Sequence, residues 1–264
     1  MTYSHPGTAL ITGASSGIGA IYADRLARRG YDLILVARNR DRLNTLARRL
    51  SDETGRNIEV VVADLADKVD LARVEDILRK DASITTLVNN AGIGATQHLM
   101  ESKVDELENM LTLNVNVLMR LTYAAAPGFV AQGGGTIINI ASIVAIAPEI
   151  LNGVYGGSKA FVLAFSQSLH KELHELNVRV QVVLPGATAT DFWAAAGTPV
   201  EYLPSAIVMQ ADAMVDAALA GLDQGEFVTI PALPDIADLE AYEAARQKLM
   251  PNLSLSAPAA RYSH

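Results

Sequence analysis

Seven short stretches of the chain are apolar almost without interruption: GTALIT (7–12), YDLILVA (31–37), IEVVVA (58–63), TTLVNN (85–90), GTIINIA (135–141), VRVQVVL (178–184) and EFVTIP (226–231). A strand with one wet face alternates apolar and polar residues, and these do not. They are expected to be buried on both faces, as the strands of a parallel sheet are. Between them lie longer stretches with apolar residues every three or four positions, the period of a helix with one buried face. Examples are AIYADRLARRG (20–30), DRLNTLARRLSDETG (41–55), VDELENMLTLNVNVLMRLTYAA (104–125) and YGGSKAFVLAFSQSLHKELHEL (155–176). Strand and helix in turn predict one α/β domain over residues 1–264, a doubly wound parallel sheet of about seven strands covered on both faces. The connection 188–209 has no regular period. A loop of that length in a compact domain is expected to be functional, here as a lid over the site. The tail NLSLSAPAARYSH (252–264) is expected to fray.

Composition narrows the chemistry. Of 264 residues, 50% are hydrophobic and 19% charged, with a net charge of −8. That balance argues against nucleic acid or an anionic membrane as the partner. There is no cysteine, which removes disulfides and thiolate chemistry. The opening MTYSHPGTALITG lacks a basic region followed by a long apolar run, so no signal peptide is expected. No stretch reaches 18 consecutive apolar residues, so no spanning helix is expected either. A cytoplasmic protein acting on small molecules is the reading.

Directly after the first apolar stretch comes TGASSGIG (12–19), followed by a helical period. Gly13 permits a sharp turn, Gly17 lets a phosphate approach the backbone, and Gly19 brings helix and strand together. The amides of that turn, around Ser15, Ser16 and Ile18, then face a pyrophosphate at the helix N-terminus. This predicts a dinucleotide site in a Rossmann-type fold. Ligands in open α/β sheets bind at the carboxyl ends of the strands, so the adenosine ribose is read after the second strand. Asp32 begins that strand and is at the wrong end. The right end reads Ala37-Arg38-Asn39-Arg40, with Arg42 shortly after. No carboxylate is there for a 2′-hydroxyl, whereas guanidinium pairs with phosphate in bidentate fashion. NADP(H) is therefore expected over NAD(H), with Arg38 as the reader.

NGVYGGSKAF (152–161) sets Tyr155 and Lys159 four positions apart, on one helical face. Together with TGASSGIG, the NNAG of 89–92, Asn114 and Ser142, this stretch resembles the short-chain dehydrogenases/reductases. The resemblance runs from about residue 7 to 231, with Ser142 at the family's usual distance before Tyr155. It implies hydride transfer between a nicotinamide and a carbonyl or secondary alcohol. It implies that Tyr155 carries the proton, Ser142 binds the substrate oxygen, and Lys159 holds the nicotinamide ribose, with Asn114 in the proton relay. It further implies that Asp64 and Leu65 hold the adenine ring. Asn89 and the backbone of Ala91 and Gly92 would cradle the adenosine ribose. PGATAT (185–190) matches the family's next motif, so Pro185, Gly186, Thr188 and Thr190 are expected near the nicotinamide. Thr188 stands where an aliphatic residue is usual. Relatives pair through two long helices, here about 104–130 and 155–176, so a homodimer or homotetramer is expected.

The chemistry of the Tyr-Lys pair is open to a check independent of the resemblance. A phenol has a pKa near 10, so ionising it at pH 7 costs about 4 kcal/mol. A nearby ammonium lowers that cost. Asn152 is placed to cap the helix, putting Tyr155 in its first turn, where the positive end of the dipole also favours phenolate. Gly156 and Gly157 read as residues kept small so that cofactor and substrate can lie against them. Ile93, Ile143, Val144, Leu151 and Trp193 predict an apolar or acyl-type substrate. Ala145 and Ile146 replace a glycine usual in the family and predict a narrowed pocket. Two alternatives stay open: an epimerase or dehydratase using the same Tyr-Lys pair, and a non-catalytic NADP-binding regulator. HKELH (170–174) lacks a glutamate directly after its first histidine, so no zinc site is expected.

Overall fold

The computed structural model describes residues 6–262. The first five residues, where the reading of the N-terminus begins, and the last two of the 252–264 tail lie outside the described residues. The chain forms two compact units that part after Pro231. In the first, strands and helices alternate: β1 (Thr8–Thr12), α1 (Gly17–Arg28), β2 (Asp32–Ala37), α2 (Arg40–Thr54), β3 (Ile58–Val62), α3 (Lys68–Lys80) and β4 (Ile84–Asn89). Then follow α4 (Val104–Leu111), α5 (Leu118–Ala131), β5 (Gly135–Ile140), α6 (Gly153–Leu173) and β6 (Val178–Val183). The unit ends with β7 (Thr188–Ala189), α7 (Phe192–Ala195), β8 (Met209–Gln210), α8 (Ala211–Gln224) and β9 (Val228–Thr229).

Seven strands make one sheet in the order β3-β2-β1-β4-β5-β6-β9, and every neighbouring pair is parallel. They are the seven apolar stretches of the sequence. The reason for their apolar runs is visible in β1. Ala9 and Ile11 pack on one face with Tyr22 and Leu26 of α1 and Met214 of α8. Leu10 packs on the other with Leu71 of α3 and Leu121 and Phe129 of α5. Alternate side chains thus enter two different cores, and neither face meets water. The strand order reverses between β1 and β4, and the crevice outside that point is where such sheets take ligands.

One expectation is corrected by a local irregularity. The long helix read over 104–125 is three pieces: α4, a π-helical turn over Thr112–Val117, and α5. A π-turn inserts a residue into the helical ladder and shifts the faces on either side of it. Asn114 sits within it and is buried. The second unit consists of α9 (Ile236–Leu249) and 3₁₀ turns at Met250–Asn252 and Ala260–Tyr262. Asp235 caps α9 through Oδ1, which accepts from the Ala237 amide at 2.9 Å. No residue of α9 is buried and its apolar residues form no stripe, which is why the sequence pattern does not announce it.

Helix α6 is capped as expected, by Asn152, whose Oδ1 accepts from the amides of Val154 (2.9 Å) and Tyr155 (3.3 Å). Its two glycines do not face the Tyr155 side. A Cβ at Gly156 would stand 2.9 Å from Pro148 Cβ and 3.2 Å from Pro148 O, whereas one at Gly157 would meet nothing within 4 Å. Gly156 is small to admit the 148–150 turn, and Gly157 lies on the exposed back of the helix. Gly157→Ala is therefore expected to raise stability by about 1 kcal/mol, a gain of roughly 2–4 °C in Tm, while Gly156→Ala lowers it. Thermal unfolding of the two variants checks this; equal shifts would mean that Pro148 does not set the requirement.

Candidate active site

The glycine turn is held from the side by Asn90. Its Nδ2 donates to the Thr12 carbonyl (2.9 Å) and the Gly13 carbonyl (3.3 Å). Thr12 Oγ1 in turn accepts from the amides of Asn90 and Ala91, both at 3.0 Å. The ends of β1 and β4 are thereby tied together. A Cβ at Gly13 would lie 2.8 Å from Asn90 Nδ2, and one at Gly19 would lie 2.5 Å from it. These two glycines make room for the asparagine latch. Gly17 has φ +52 and faces Thr190, whose Cγ2 would be 3.1 Å from an added Cβ.

Asn90 was not a candidate in the sequence, and Asn89 was. The structure does not bring the Asn89 side chain to the crevice. Asn89 Nδ2 donates inside the protein to Thr122 Oγ1 (3.1 Å) and Asn139 Oδ1 (2.9 Å). Strand parity explains the exchange: Leu87 points into the core beneath α3 and α5, so Asn89 does too, and Asn90 falls on the other side. Beyond it run the backbones of Ala91 and Gly92.

The residues along the crevice fit a dinucleotide. Ser16, the N-cap of α1, makes no side-chain capping bond, while Asn39, Asp67 and Asn152 cap α2, α3 and α6. The first-turn amides of α1, with Ser15, Gly17 and Ile18 around them, remain available to an outside acceptor. Arg38, just past β2, is exposed and makes no hydrogen bond or ion pair among the described residues. Arg42 differs, pairing with Asp191 at 3.3 Å. Asp64 is exposed after β3 and accepts from the Ala66 amide at 3.0 Å. Leu65 buries its side chain in the core, which leaves its backbone for the crevice. Uncapped amides for a pyrophosphate and an unpaired guanidinium for a further phosphate fit NADP(H).

Asn114, Ser142, Tyr155 and Lys159 are brought together past the end of β5. Ser142 Oγ lies 3.4 Å from the Pro185 carbonyl and accepts from the Val144 amide at 3.4 Å. Lys159 Nζ donates to the Ile140 carbonyl at 3.0 Å and lies 5.9 Å from the centre of the Tyr155 ring. A Cβ at Gly92 would be 3.7 Å from that ammonium and 3.0 Å from Asn114 Oδ1. The Asn114 side chain clasps the next peptide: Oδ1 accepts from the Ile93 amide (3.0 Å) and Nδ2 donates to the Ile93 carbonyl (2.8 Å).

Burial governs the protonation of this group. It pushes the Tyr155 phenol up to about 12, with the neighbouring Ser142 hydroxyl pulling the other way. It pushes the Lys159 ammonium down to about 8. Forming phenolate at pH 7 then costs about 7 kcal/mol rather than 4. The acidified phenol expected from the Tyr-Lys spacing is not the state of the protein alone; desolvation outweighs the pull of the Ser142 hydroxyl, and the phenol keeps its proton.

The 188–209 segment lies over this group. β7 and β8 pair within it, and Thr190 follows β7. Thr188 is buried and donates to the Gly186 carbonyl at 3.2 Å. Trp193, read as a wall of the pocket, instead turns inward and donates from Nε1 to the Thr188 carbonyl at 3.0 Å. The aromatic ring on the phenol belongs to Phe192, 5.9 Å from Tyr155 between centroids. Val144, Leu151, Ala95 and Met110 complete an apolar cluster around Tyr155. Phe192 carried no separate signal, since a lone aromatic in an irregular stretch has no period to mark it.

A family model described as short chain dehydrogenase matches residues 7–200. A short-chain dehydrogenase from Sphingobium yanoikuyae, solved in complex with NADPH, is similar at 50% identity and a TM-score of 0.94, over 97% of this chain and 99% of that one. The bulky-bulky ketone specific alcohol dehydrogenase from Comamonas testosteroni is similar at 44% identity and a TM-score of 0.90, over 98% of this chain and 99% of that one. An uncharacterized oxidoreductase of Staphylococcus epidermidis is 34% identical over 69% of this chain and 78% of its own length.

The buried ammonium has a consequence for stability. The Lys159 pKa is lower folded (about 8) than its ordinary value of 10.5, so its cost is fully present below pH 8 and is relieved as pH rises towards 10.5. That cost is roughly 3 kcal/mol at pH 7, with the bond to Ile140 already included in it. Lys159→Met is expected to raise the Tm of the cofactor-free protein at pH 7, with less than half the gain at pH 9.5. An unchanged or lower Tm at pH 7 would overturn the assignment of a strained ammonium.

Proposed function

The chain belongs to the short-chain dehydrogenase/reductase family and is an oxidoreductase of it; within that family we propose that it reduces the carbonyl of an apolar ketone or acyl-type substrate with NADPH, or runs the reverse oxidation. The observation that carries the reading is the buried Tyr155 phenol with Ser142 beside it and Lys159 one turn along α6. The bound cofactor supplies the hydride. The protein has to place a carbonyl oxygen against Tyr155 Oη and Ser142 Oγ, and Tyr155 gives that oxygen its proton. A phenol held protonated is the right donor for the reductive direction. Lys159, charged at neutral pH, would hold the nicotinamide ribose and steadies the phenolate left after donation. Asn114 keeps the Ile93 peptide in place at the edge of the group.

NADP(H) over NAD(H) rests on Arg38 being exposed and unpaired at the carboxyl end of β2 and on the lack of a carboxylate there. The S. yanoikuyae relative, solved with NADPH, agrees with it. An apolar substrate is supported by Val144, Leu151 and Phe192 around the phenol and by exposed Ile146 and Ile150. The ketone-specific relative from C. testosteroni supports the same class. Segment 188–209 is the lid in this reading. We also propose a cytoplasmic homodimer or homotetramer joined through α5 and α6. There an aromatic row is stacked on the outside, with Tyr123 and Phe165 at 6.2 Å and Phe161 and Phe165 at 5.6 Å.

An NADPH-consumption screen over ketones, aldehydes and 3-oxoacyl thioesters tests the reaction. Tyr155→Phe is expected to lower the rate at least a hundredfold with NADPH affinity nearly unchanged; retention of more than a few per cent of the rate rejects the role. Arg38→Asp is expected to shift the kcat/KM ratio of the two cofactors towards NADH by tenfold or more, and an unchanged ratio rejects the phosphate contact. Sedimentation is expected to show an oligomer that Phe165→Glu weakens; a wild-type monomer at micromolar concentration rejects the pairing.

A further inference from the structure

Phe192 is the first residue of α7, and its ring lies on the Tyr155 phenol with planes tilted by 46°. The tip of the ring, at Cζ and the two Cε atoms, presses on Gly94. A Cβ at Gly94 would overlap the ring, standing 2.9 Å from Cε2 and 3.0 Å from Cε1. The ring therefore occupies a notch that glycine alone leaves open. In this cluster Tyr155 is only 5% exposed, and Ser142 is 9% exposed. A carbonyl that touches both hydroxyls must carry its carbon substituents into the space next to them, and on this side that space holds Phe192.

The clasp that seats the ring is light. The Thr96 amide and Oγ1 both donate to the Ala196 carbonyl, at 3.2 and 2.9 Å. Thr198 and Thr96 share a hydroxyl hydrogen bond of 3.0 Å. A four-residue helix has no stability of its own to add to these bonds. The ring is thus fixed by a few replaceable contacts over a group that substrate has to reach.

We propose that Phe192 is a specificity-determining plug, seated in the notch at Gly94, that sets how large the second substituent of a ketone substrate can be. The proposal rests on the carbonyl-reductase reading above and deepens it, because it assigns one substituent of the substrate to the space between Gly94 and Tyr155. Two residues are coupled in it by contact alone. Alanine at 94 should expel the ring, but only if the ring is there.

The test uses phenyl alkyl ketones with alkyl groups from methyl to pentyl, assayed with NADPH on the full chain. Phe192→Ala is expected to raise the pentyl-to-methyl ratio of kcat/KM about tenfold. Gly94→Ala is expected to move the ratio the same way in the wild-type background, and by less than twofold when Phe192 is already alanine. A second readout needs no turnover. Trp193 is the only tryptophan of the chain and is 8% exposed, next to the plug. Its quenching by acrylamide in the cofactor-free protein should rise in Gly94→Ala, and not further when Gly94→Ala is added to Phe192→Ala. If Gly94→Ala changes ratio and quenching equally with and without the ring, or if Phe192→Ala leaves the ratio unchanged, the plug is rejected. Should no ketone be turned over by the wild type, the carbonyl reading falls, and quenching alone decides whether ring and glycine are coupled.

Discussion

Lys159 keeps a charged ammonium inside the protein with one carbonyl, that of Ile140, as its hydrogen-bond partner. Burial costs the charged form more than that bond returns, as the downward shift of its pKa records. The fold tolerates the cost because two large cores on either side of the sheet supply stability elsewhere. The geometry of the site follows from holding the ammonium where it is. It needs α6 to start at Asn152, so that Tyr155 and Lys159 share a face beside the end of β5. It needs the Ile93 peptide clasped by Asn114 where the chain leaving β4 passes the ammonium, and Gly92 is bare for that clasp, since a Cβ there would stand 3.0 Å from Asn114 Oδ1.

The sheet was legible because a strand buried on both faces holds few polar residues, and those it holds are paired inside, as Asn89 and Asn139 are. The central strands come from that constraint, whereas edge strand β3, with Glu59 exposed, is marked by its run of valines. Helix α9 was not legible, since a helix that buries nothing has no period. The break at Thr112–Val117 was hidden for a different reason. One inserted residue leaves each flanking stretch apolar at helical intervals and only turns one face against the other, with Asn114 buried inside the turn.

Within the site, residues whose chemistry is intrinsic were legible: a phenol and an ammonium at helical spacing, glycines after a strand, an arginine directly past the end of the second strand. Residues that act through shape were not. Asn90 latches the glycine turn, but choosing it over Asn89 requires the facing of β4. Gly156 is small for Pro148 rather than for a ligand, which only a neighbour distant in the local backbone could reveal. Trp193 and Phe192 are adjacent aromatics that exchange roles on the direction of one short helix. The indole is hydrogen-bonded inward, and the phenyl ring covers the phenol.

Shape and chemistry meet at that ring. Phe192 helps remove water from Tyr155, and it is the loss of water that holds the phenol in its protonated form. A carbonyl oxygen entering against Ser142 and Tyr155 would restore the polar contact that burial took away. It would do so only at the moment the proton is to be given. Lys159 is the cation this chain itself supplies to a phenolate, and a bound nicotinamide would add positive charge to the site when oxidised. The acidity of Tyr155 is thus a property of the filled site. The sequence, which shows the lysine but not the burial, points to the end state of the proton transfer, and the structure of the chain alone shows its beginning.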